Sequence, residues 1–204
     1  MTRVSDSAAD RAETLGRPLP QTEVKIVDVA TGATVPCGTT GEICTRGYLV
    51  MDGYLGDPQA TAAAIDPDGW LHTGDLGSVD ERGYCRIAGR LKEMIIRGGE
   101  NIYPREIEMV LLEHQGVAEA AVVGVADERW GEQVAAFIRP GAVPGPSAAD
   151  LDAFCRERLA GFKVPRFWRM VDVFPMTASG KVQKFVLRER FAAETARTSA
   201  TATE

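Results

Sequence analysis

Three charged side chains of this sequence lie next to glycine in short motifs. Asp75 ends a Thr-Gly-Asp motif, Arg90 follows a glycine, and Lys181 ends a Ser-Gly-Lys motif. A carboxylate can accept two hydrogen bonds from a cis-diol, and a guanidinium presents paired donors in one plane. An ammonium group on a flexible stem can approach an anion and offset its charge. Each residue alone would also suit a turn, a surface ion pair or a solvated loop, so the neighbouring sequence has to decide.

A second set of residues offers close backbone approach or a basic surface. Gly98 and Gly99 can adopt positive φ and let a ligand lie against the backbone, or they can form a tight turn. Phe162, Lys163 and Arg166 place two cations beside an aromatic ring, which suits a phosphorylated adenosine.

The composition is that of an ordinary globular protein and excludes several classes. The chain has 204 residues, 45% apolar and 25% charged, with a net charge of -6. No Lys/Arg cluster favours nucleic acid, and no apolar run approaches the roughly 20 residues of a membrane span. The four cysteines form no Cys-x-x-Cys pair and only two histidines occur, so no zinc site is predicted. We expect a cytoplasmic protein with reduced thiols, no metal ligands, no nucleic-acid partner and no membrane span.

Hydrophobic patterns divide the chain into four regions. Residues 1–16 are polar and predicted to be poorly ordered. The pattern of residues 17–91 predicts short strands and turns that would form the edge of a larger domain. Residues 92–193 alternate strands and helices, about three strands in all, with apolar positions for their own core. Residues 194–204 are predicted to be disordered. The predicted fold class is α+β.

Local signals place individual elements within these regions. Asp57 before Pro58 predicts a capped helix, and Ser147 with Asp150 predicts a capping box. Apolar runs predict buried strands at 117–125 and 133–138.

Four segments together resemble the adenylate-forming superfamily, in its acyl-CoA and aryl-CoA ligase branch. They are GEICTRGYLVMDGYLGDPQAT at 41–61, DGWLHTGDLG at 68–77, GRLKEMIIRGGENIYPREIE at 89–108 and PMTASGKVQK at 175–184. They follow the family's order and roughly its spacing, and the resemblance extends from about Gly16 to Arg190. The run from Gly98 to Pro104 is similar to fatty acyl-CoA or aryl-CoA ligases and differs from the usual peptide-synthetase pattern, so a fatty acyl substrate is favoured.

The resemblance implies a two-step reaction. In that family, ATP and a carboxylic acid form an acyl-adenylate and pyrophosphate, a small C-terminal lid domain then rotates, and CoA attacks the adenylate to form the thioester. The region 17–91 would be the end of the large N-terminal domain, and 92–193 would be the lid. ATP and CoA would be substrates.

The resemblance also implies residue roles. Asp75 would accept hydrogen bonds from the ribose hydroxyls of ATP, and Arg90 would help to hold ribose and phosphates. Lys92 matches the hinge of the lid, and Lys181 matches the lysine that assists adenylation. Lys184 is interpreted as a surface charge. The residues that would contact CoA are Gly98, Gly99, Phe162, Lys163 and Arg166.

The family's phosphate loop and its Tyr-Gly-x-Thr-Glu segment are expected upstream of residue 16. Gly38-Thr39-Thr40-Gly41 superficially resembles the phosphate loop but lacks its flanking residues, so we interpret it as a hairpin turn. The glutamate that orders Mg²⁺ and most of the acyl pocket would belong to the upstream part as well. We therefore expect the chain alone to be unable to form an acyl-adenylate.

Three functions remain open at this point. The chain could be a ligase portion that works with an N-terminal part, either removed or supplied on another chain. It could be a non-catalytic CoA-binding or regulatory module, or a decayed gene fragment. Aryl-CoA ligase and peptide-synthetase adenylation chemistry are the alternatives within the superfamily.

Overall fold

The computed structural model of the protein describes residues 1–141 and 144–201, without the side chains of 198–201. The chain forms two compact units, Met1–Lys92 and Glu93–Glu204. Helices hold 25% of the residues and strands 34%, so the fold is α+β, as predicted.

An antiparallel four-stranded sheet forms the first unit. Its strands pair in sequence order: β1 (Thr22–Val27), β2 (Gly41–Gly47), β3 (Leu71–Val79) and β4 (Cys85–Arg90). Helix α2 (Pro58–Ala64) lies between β2 and β3 in sequence. The Asp57 side chain accepts a hydrogen bond from Ala60 N at 2.8 Å, which confirms the predicted cap.

The start of the chain differs from its prediction. Where poor order was expected for residues 1–16, a short helix α1 (Ala8–Glu13) forms. The segment also pairs with strand β4, because Leu15 N donates to Cys85 O at 2.8 Å and Cys85 N donates to Gly16 O at 2.9 Å. Polar composition was misleading here, since these residues are ordered by polar partners far along the chain.

Two buried carboxylates hold this segment in place. The Tyr84 hydroxyl donates to Asp6 at 2.8 Å, and the Arg82 guanidinium donates to Asp10 at 2.8 Å. The backbone N–H of Arg3, followed by the Tyr84 hydroxyl, lowers the pKa of Asp6 below its usual 3.8. The hydrogen bond from Arg82 is the main cause of the lowered pKa of Asp10. Groups with depressed pKa values stabilise the fold above the unfolded pKa, and this stabilisation is lost as pH falls through the folded pKa.

We expect the carboxyl groups of Asp6 and Asp10 to titrate below pH 3.8, with the N-terminal segment leaving the sheet as they become protonated. Carboxyl-carbon NMR titration of the chain would measure both midpoints. Tyr84→Phe removes a donor to Asp6 and should raise its midpoint. Asp28, whose pKa is lowered mainly by Thr31, serves as the unaffected control. An unchanged Asp6 midpoint in the variant would contradict the assignment.

Within the described residues, five strands build the sheet of the second unit, where about three were expected. They are β5 (Ile95–Arg97), β6 (Glu100–Ile102), β7 (Val117–Asp127), β8 (Gly131–Pro140) and β9 (Phe167–Met170). The order is β6-β5-β8-β7. Strand β9 pairs in parallel with residues 135–138 of β8, along the edge of β8 that does not pair with β7. The two long strands contain the predicted 117–125 and 133–138. The short β6 escaped prediction because its Glu and Asn disfavour strands, and pairing with β5 overrides that preference.

Three helices cover both faces of this sheet: α3 (Pro104–Leu112), α4 (Ala148–Arg156) and α5 (Lys184–Thr201). Successive strand residues point to opposite faces. Val122 therefore joins the core of α3 and α4, and Val123 joins the core that includes Leu187 and Phe191 of α5. The unit thus has a core of its own on each face.

The remaining helix predictions are partly met. The capping box of α4 is confirmed, since Ser147 and Asp150 exchange side-chain to backbone hydrogen bonds at 3.1 Å. Helix α5 continues to Thr201, where disorder was predicted from residue 194, because Phe191 anchors its middle in the core. Residues 202–204 of the predicted tail lie outside the described residues. No helix in the described ranges is both long and apolar enough to cross a bilayer.

Candidate functional site

Asp75 and Arg90 face each other across strands β3 and β4. They are direct partners in the ladder, and Arg90 Nε lies 3.0 Å from Asp75 Oδ1. Their side chains are 34% and 55% exposed, so a ligand can reach both. The structure brings these two predicted residues together as a carboxylate and a guanidinium on one surface.

The Thr-Gly-Asp motif that presents Asp75 lies inside β3, where an irregular turn in the strand is held by strand β2. The Thr73 hydroxyl donates to Ile43 O at 2.7 Å and accepts from Asp75 N at 3.1 Å. Gly74 has φ +68, a left-handed conformation that favours glycine, and its N–H donates to Glu42 Oε1 at 3.0 Å. The direction of Asp75 is therefore fixed by backbone and buried contacts.

Glu42 was not singled out from the sequence, yet it is central to this turn. It is 8% exposed, and its second oxygen lies 2.8 Å from His72 Nδ1. The Cys44 sulfur lies 3.5 Å from the same nitrogen. A Gly-Glu pair opening a strand before the Thr-Gly-Asp turn was the available signal.

Glu42, Cys44 and His72 bring three potential metal ligands together. One ligand atom from each lies within 4.8 Å of the others. Burial, followed by the charge of Glu42, raises the pKa of the Cys44 thiol to about 11, so the thiol stays protonated. Mg²⁺ prefers ligand sets made of oxygen, and a thiol and an imidazole do not fit it. The group is a hydrogen-bonded support for the turn and does not provide the expected Mg²⁺ ligands.

Lys92 is exposed and is the last residue of the first unit. It lies in a short 3₁₀ turn, Leu91–Glu93. Among the described residues, no carboxylate pairs with its ammonium group. The predicted hinge therefore falls where one compact unit ends and the next begins.

Gly98 and Gly99 form the turn between β5 and β6, with φ +59 and +90. Gly98 N donates to Trp130 O at 2.8 Å, and a Cβ atom at Gly98 would lie 2.6 Å from the indole ring. The guanidinium groups of Arg97 and Arg129 lie 5.3 and 4.9 Å from that ring centroid. Trp130, 38% exposed, was missed from the sequence, although an aromatic between Arg and Gly was a signal.

The three other predicted CoA contacts differ in availability. Lys163 Nζ is held by both oxygens of Glu106 at 2.7 and 2.8 Å, so its charge is largely compensated. Phe162 packs partly into the core, and its carbonyl accepts from Arg97 Nη1 at 3.0 Å. Arg166 is exposed. The bond from Arg97 connects this segment to the Gly98 turn within the second unit.

Lys181 ends a loop that is closed by its own hydrogen bonds. Thr177 N donates to Lys181 O at 2.8 Å, and Gly180 N donates to Thr177 O at 2.9 Å. Lys181 N in turn donates to the Thr177 hydroxyl at 3.0 Å. The Lys181 side chain is exposed, and within the described part of the chain no group pairs with its ammonium. The loop thus presents a free cation on an ordered base.

Two family profiles match this chain. Residues 1–55 match the AMP-binding enzymes, and residues 106–181 match the AMP-binding enzyme C-terminal domain, ending at Lys181. The chain therefore carries sequence of both the AMP-binding and the AMP-binding C-terminal domains.

Relatives among the AMP-binding enzymes are similar over nearly the whole chain. YngI of Bacillus subtilis, named as an acyl-CoA synthetase, is 54% identical over 93% of this chain and 34% of its own length. The mitochondrial medium-chain acyl-CoA ligase ACSF2 of Bos taurus is 47% identical over 93% of this chain and 31% of its own. ATP-bound MatB from Rhodopseudomonas palustris superposes with a TM-score of 0.82 at 39% identity, covering 88% of this chain and 36% of that one. The chain therefore spans about a third of the length of the relatives it matches.

Lys184 is the third residue that the sequence analysis missed in this chain. It was interpreted as a surface charge, but its side chain is only 17% exposed. Its ammonium group lies 3.0 Å from Glu93 Oε2 and 2.7 Å from Glu108 Oε1. The two carboxylates are distant in sequence, so only the fold reveals them.

Proposed function

We propose that this chain is the C-terminal part of an ATP-dependent acyl-CoA ligase, which converts a carboxylic acid, ATP and CoA into acyl-CoA, AMP and pyrophosphate. The observation that supports this most is the exposed ammonium of Lys181 on its hydrogen-bonded loop, which has no partner among the described residues. A cation without a competing carboxylate is available to an approaching anion and can offset its charge.

In the first step, an oxygen of the acid attacks the α-phosphorus of ATP, and the bond to pyrophosphate breaks. Lys181 offsets the negative charge that develops as pyrophosphate leaves. Asp75 accepts hydrogen bonds from the ribose hydroxyls, and Arg90 helps to hold ribose and phosphate. In the second step, the CoA sulfur attacks the acyl carbon and AMP leaves. Mg²⁺ would assist the first step from ligands outside this chain.

CoA is proposed to bind the second unit at the Gly98–Gly99 turn. The exposed Trp130 and Arg166, with Arg129 beside the indole, offer a ring and cations to a phosphorylated adenosine. Lys92 is proposed as the hinge that allows this surface and the Lys181 loop to be used in different steps.

The proposed acid is a fatty acid, with medium chains tested first because the ACSF2 relatives are named medium-chain ligases. Aryl acids are the alternative substrate within the same chemistry. The four free cysteines suit a reducing compartment, and we propose the cytoplasm.

Complementation tests the proposal. The upstream part of a related synthetase would be expressed, mixed with this chain, and assayed for CoA-dependent AMP release with fatty and aryl acids. Activity is expected only when both pieces are present. Pyrophosphate release by this chain alone would contradict the expectation that adenylate formation needs both pieces. An inactive mixture of two folded pieces would contradict the ligase function.

A non-catalytic CoA-binding module is the second candidate. One observation favours it. The second unit, to which Trp130 and the Gly98–Gly99 turn belong, has a hydrophobic core on each face of its sheet. Calorimetric titration of the chain with CoA, and with dephospho-CoA as control, distinguishes the two. Tight CoA binding together with an inactive complemented mixture would favour the module.

A further inference from the structure

Lys184 joins three parts of the second unit through one ammonium group. Its partners are Glu93, the first residue of the unit, and Glu108 of α3. Glu108 Oε1 also accepts from Val122 N of β7 at 2.8 Å. The three charged side chains are only 17 to 29% exposed. Loss of the cation would leave two carboxylates close together in a poorly solvated place.

The same residue is where the Lys181 loop joins helix α5. Gln183 N donates to Pro175 O at 2.8 Å, and Met176 pairs with Val182 in an isolated bridge, so both ends of the loop meet beside Lys184. The base of the loop is thereby tied to Glu93, which directly follows Lys92 in sequence.

We propose that Lys184 is a positioning residue that fixes the Lys181 loop to the segment following Lys92, so that both move as one body. The inference rests on the proposed ligase function for its purpose, but its structural part can be tested without it. Positioning matters because a displacement of about 1 Å at a reacting group can cost roughly 100-fold in rate.

Amide hydrogen exchange of the full chain tests the fixation. In Lys184→Met, the amides of Gly180, Lys181 and Gln183 are expected to exchange faster than in the wild type. The acceleration of each amide, divided by the acceleration of the Phe137 amide in β8, should be at least about tenfold. Dividing by the β8 value removes any global loss of stability. Lys184→Arg, which keeps the cation, should show a smaller acceleration. A loop that accelerates no more than β8 would overturn the proposal.

Two further variants sharpen this test. Arg139→Met breaks the ion pair with Glu119 between β7 and β8 of the same unit, and should leave the ratio unchanged. Glu93→Gln keeps the side-chain volume at position 93 and the contact between Lys184 and Glu108. It therefore tests the Lys184–Glu93 ion pair even where Lys184→Met fails to fold. Glu93→Gln should raise the same ratio, and an unchanged ratio would contradict the role of the Lys184–Glu93 ion pair in fixing the loop.

In the complemented mixture, Lys184→Met is expected to lower kcat for adenylate formation roughly 100-fold with an unchanged KM for ATP, and Lys184→Arg to recover part of it. Wild-type kcat in Lys184→Met would overturn the positioning role. An inactive wild-type mixture would instead remove the ligase function, while the exchange ratio would still decide whether Lys184 fixes the loop.

Discussion

Replacing Lys181 with alanine is expected to slow acyl-adenylate formation roughly 100- to 1,000-fold in the complemented enzyme, the usual effect of removing one preorganised donor. The ammonium is exposed and, within the described residues, unpaired, so its removal should leave the folded state unchanged. Single-turnover pyrophosphate release measures the step directly, and thermal unfolding of the variant checks the fold.

Arg190→Ala is the matched control for this experiment. It removes a positive charge from another exposed position of the same unit, on α5, and should leave the rate within about twofold, as expected of a surface change. Supplying preformed acyl-adenylate separates the steps, because Lys181→Ala should then form thioester at nearly the wild-type rate. Equal losses in both steps would refute a specific role in adenylation.

Gly98→Val is expected to be the most damaging change on the CoA side. A residue with a side chain at φ +59 is strained by about 1–3 kcal/mol, and its Cβ would meet the Trp130 ring at 2.6 Å. For a domain of this size, roughly 2 kcal/mol lowers the unfolding midpoint by about 10 °C. Calorimetry of the chain would record that shift, and CoA titration should show binding weakened beyond detection.

Gly99→Ala separates strain from collision. Gly99 also has a positive φ, +90, but a Cβ there meets nothing within 4 Å. It should lower the unfolding midpoint by less than Gly98→Val and leave the Trp130 ring in place. Indole N–H NMR signals would show which variant moves that ring. Equal shifts in both variants would mean that contact with Trp130 is unimportant.

Features encoded by neighbouring residues were predictable from the sequence. The caps at Asp57 and Ser147 need partners only three residues away. The long strands of the second unit are indicated by continuous apolar runs. Asp75, Arg90 and Lys181 could be selected because each lies in a short motif. What the motifs did not give was the Asp75–Arg90 pairing, which depends on a register shift beside Leu76 and Gly77.

Features that need distant partners escaped prediction. Lys184 was interpreted as solvated because Glu93 and Glu108 are far from it in sequence, and Trp130 meets Gly98 only after β5 and β8 pair. The N-terminal segment looked disordered because Asp6 and Asp10 find their donors beyond residue 80. In each case a polar residue acquired its role from the fold.

The pairing of residues 15 and 16 with strand β4 also decides how this protein can be shortened. Those residues cover the side of β4 that does not pair with β3, next to the buried Cys85. Trimming the chain to begin at Arg17, as composition would suggest, would uncover the backbone N–H and C=O of Cys85 on that edge. Uncovered strand edges recruit other chains, so the trimmed protein would self-associate, while the untrimmed chain carries its own protection against aggregation.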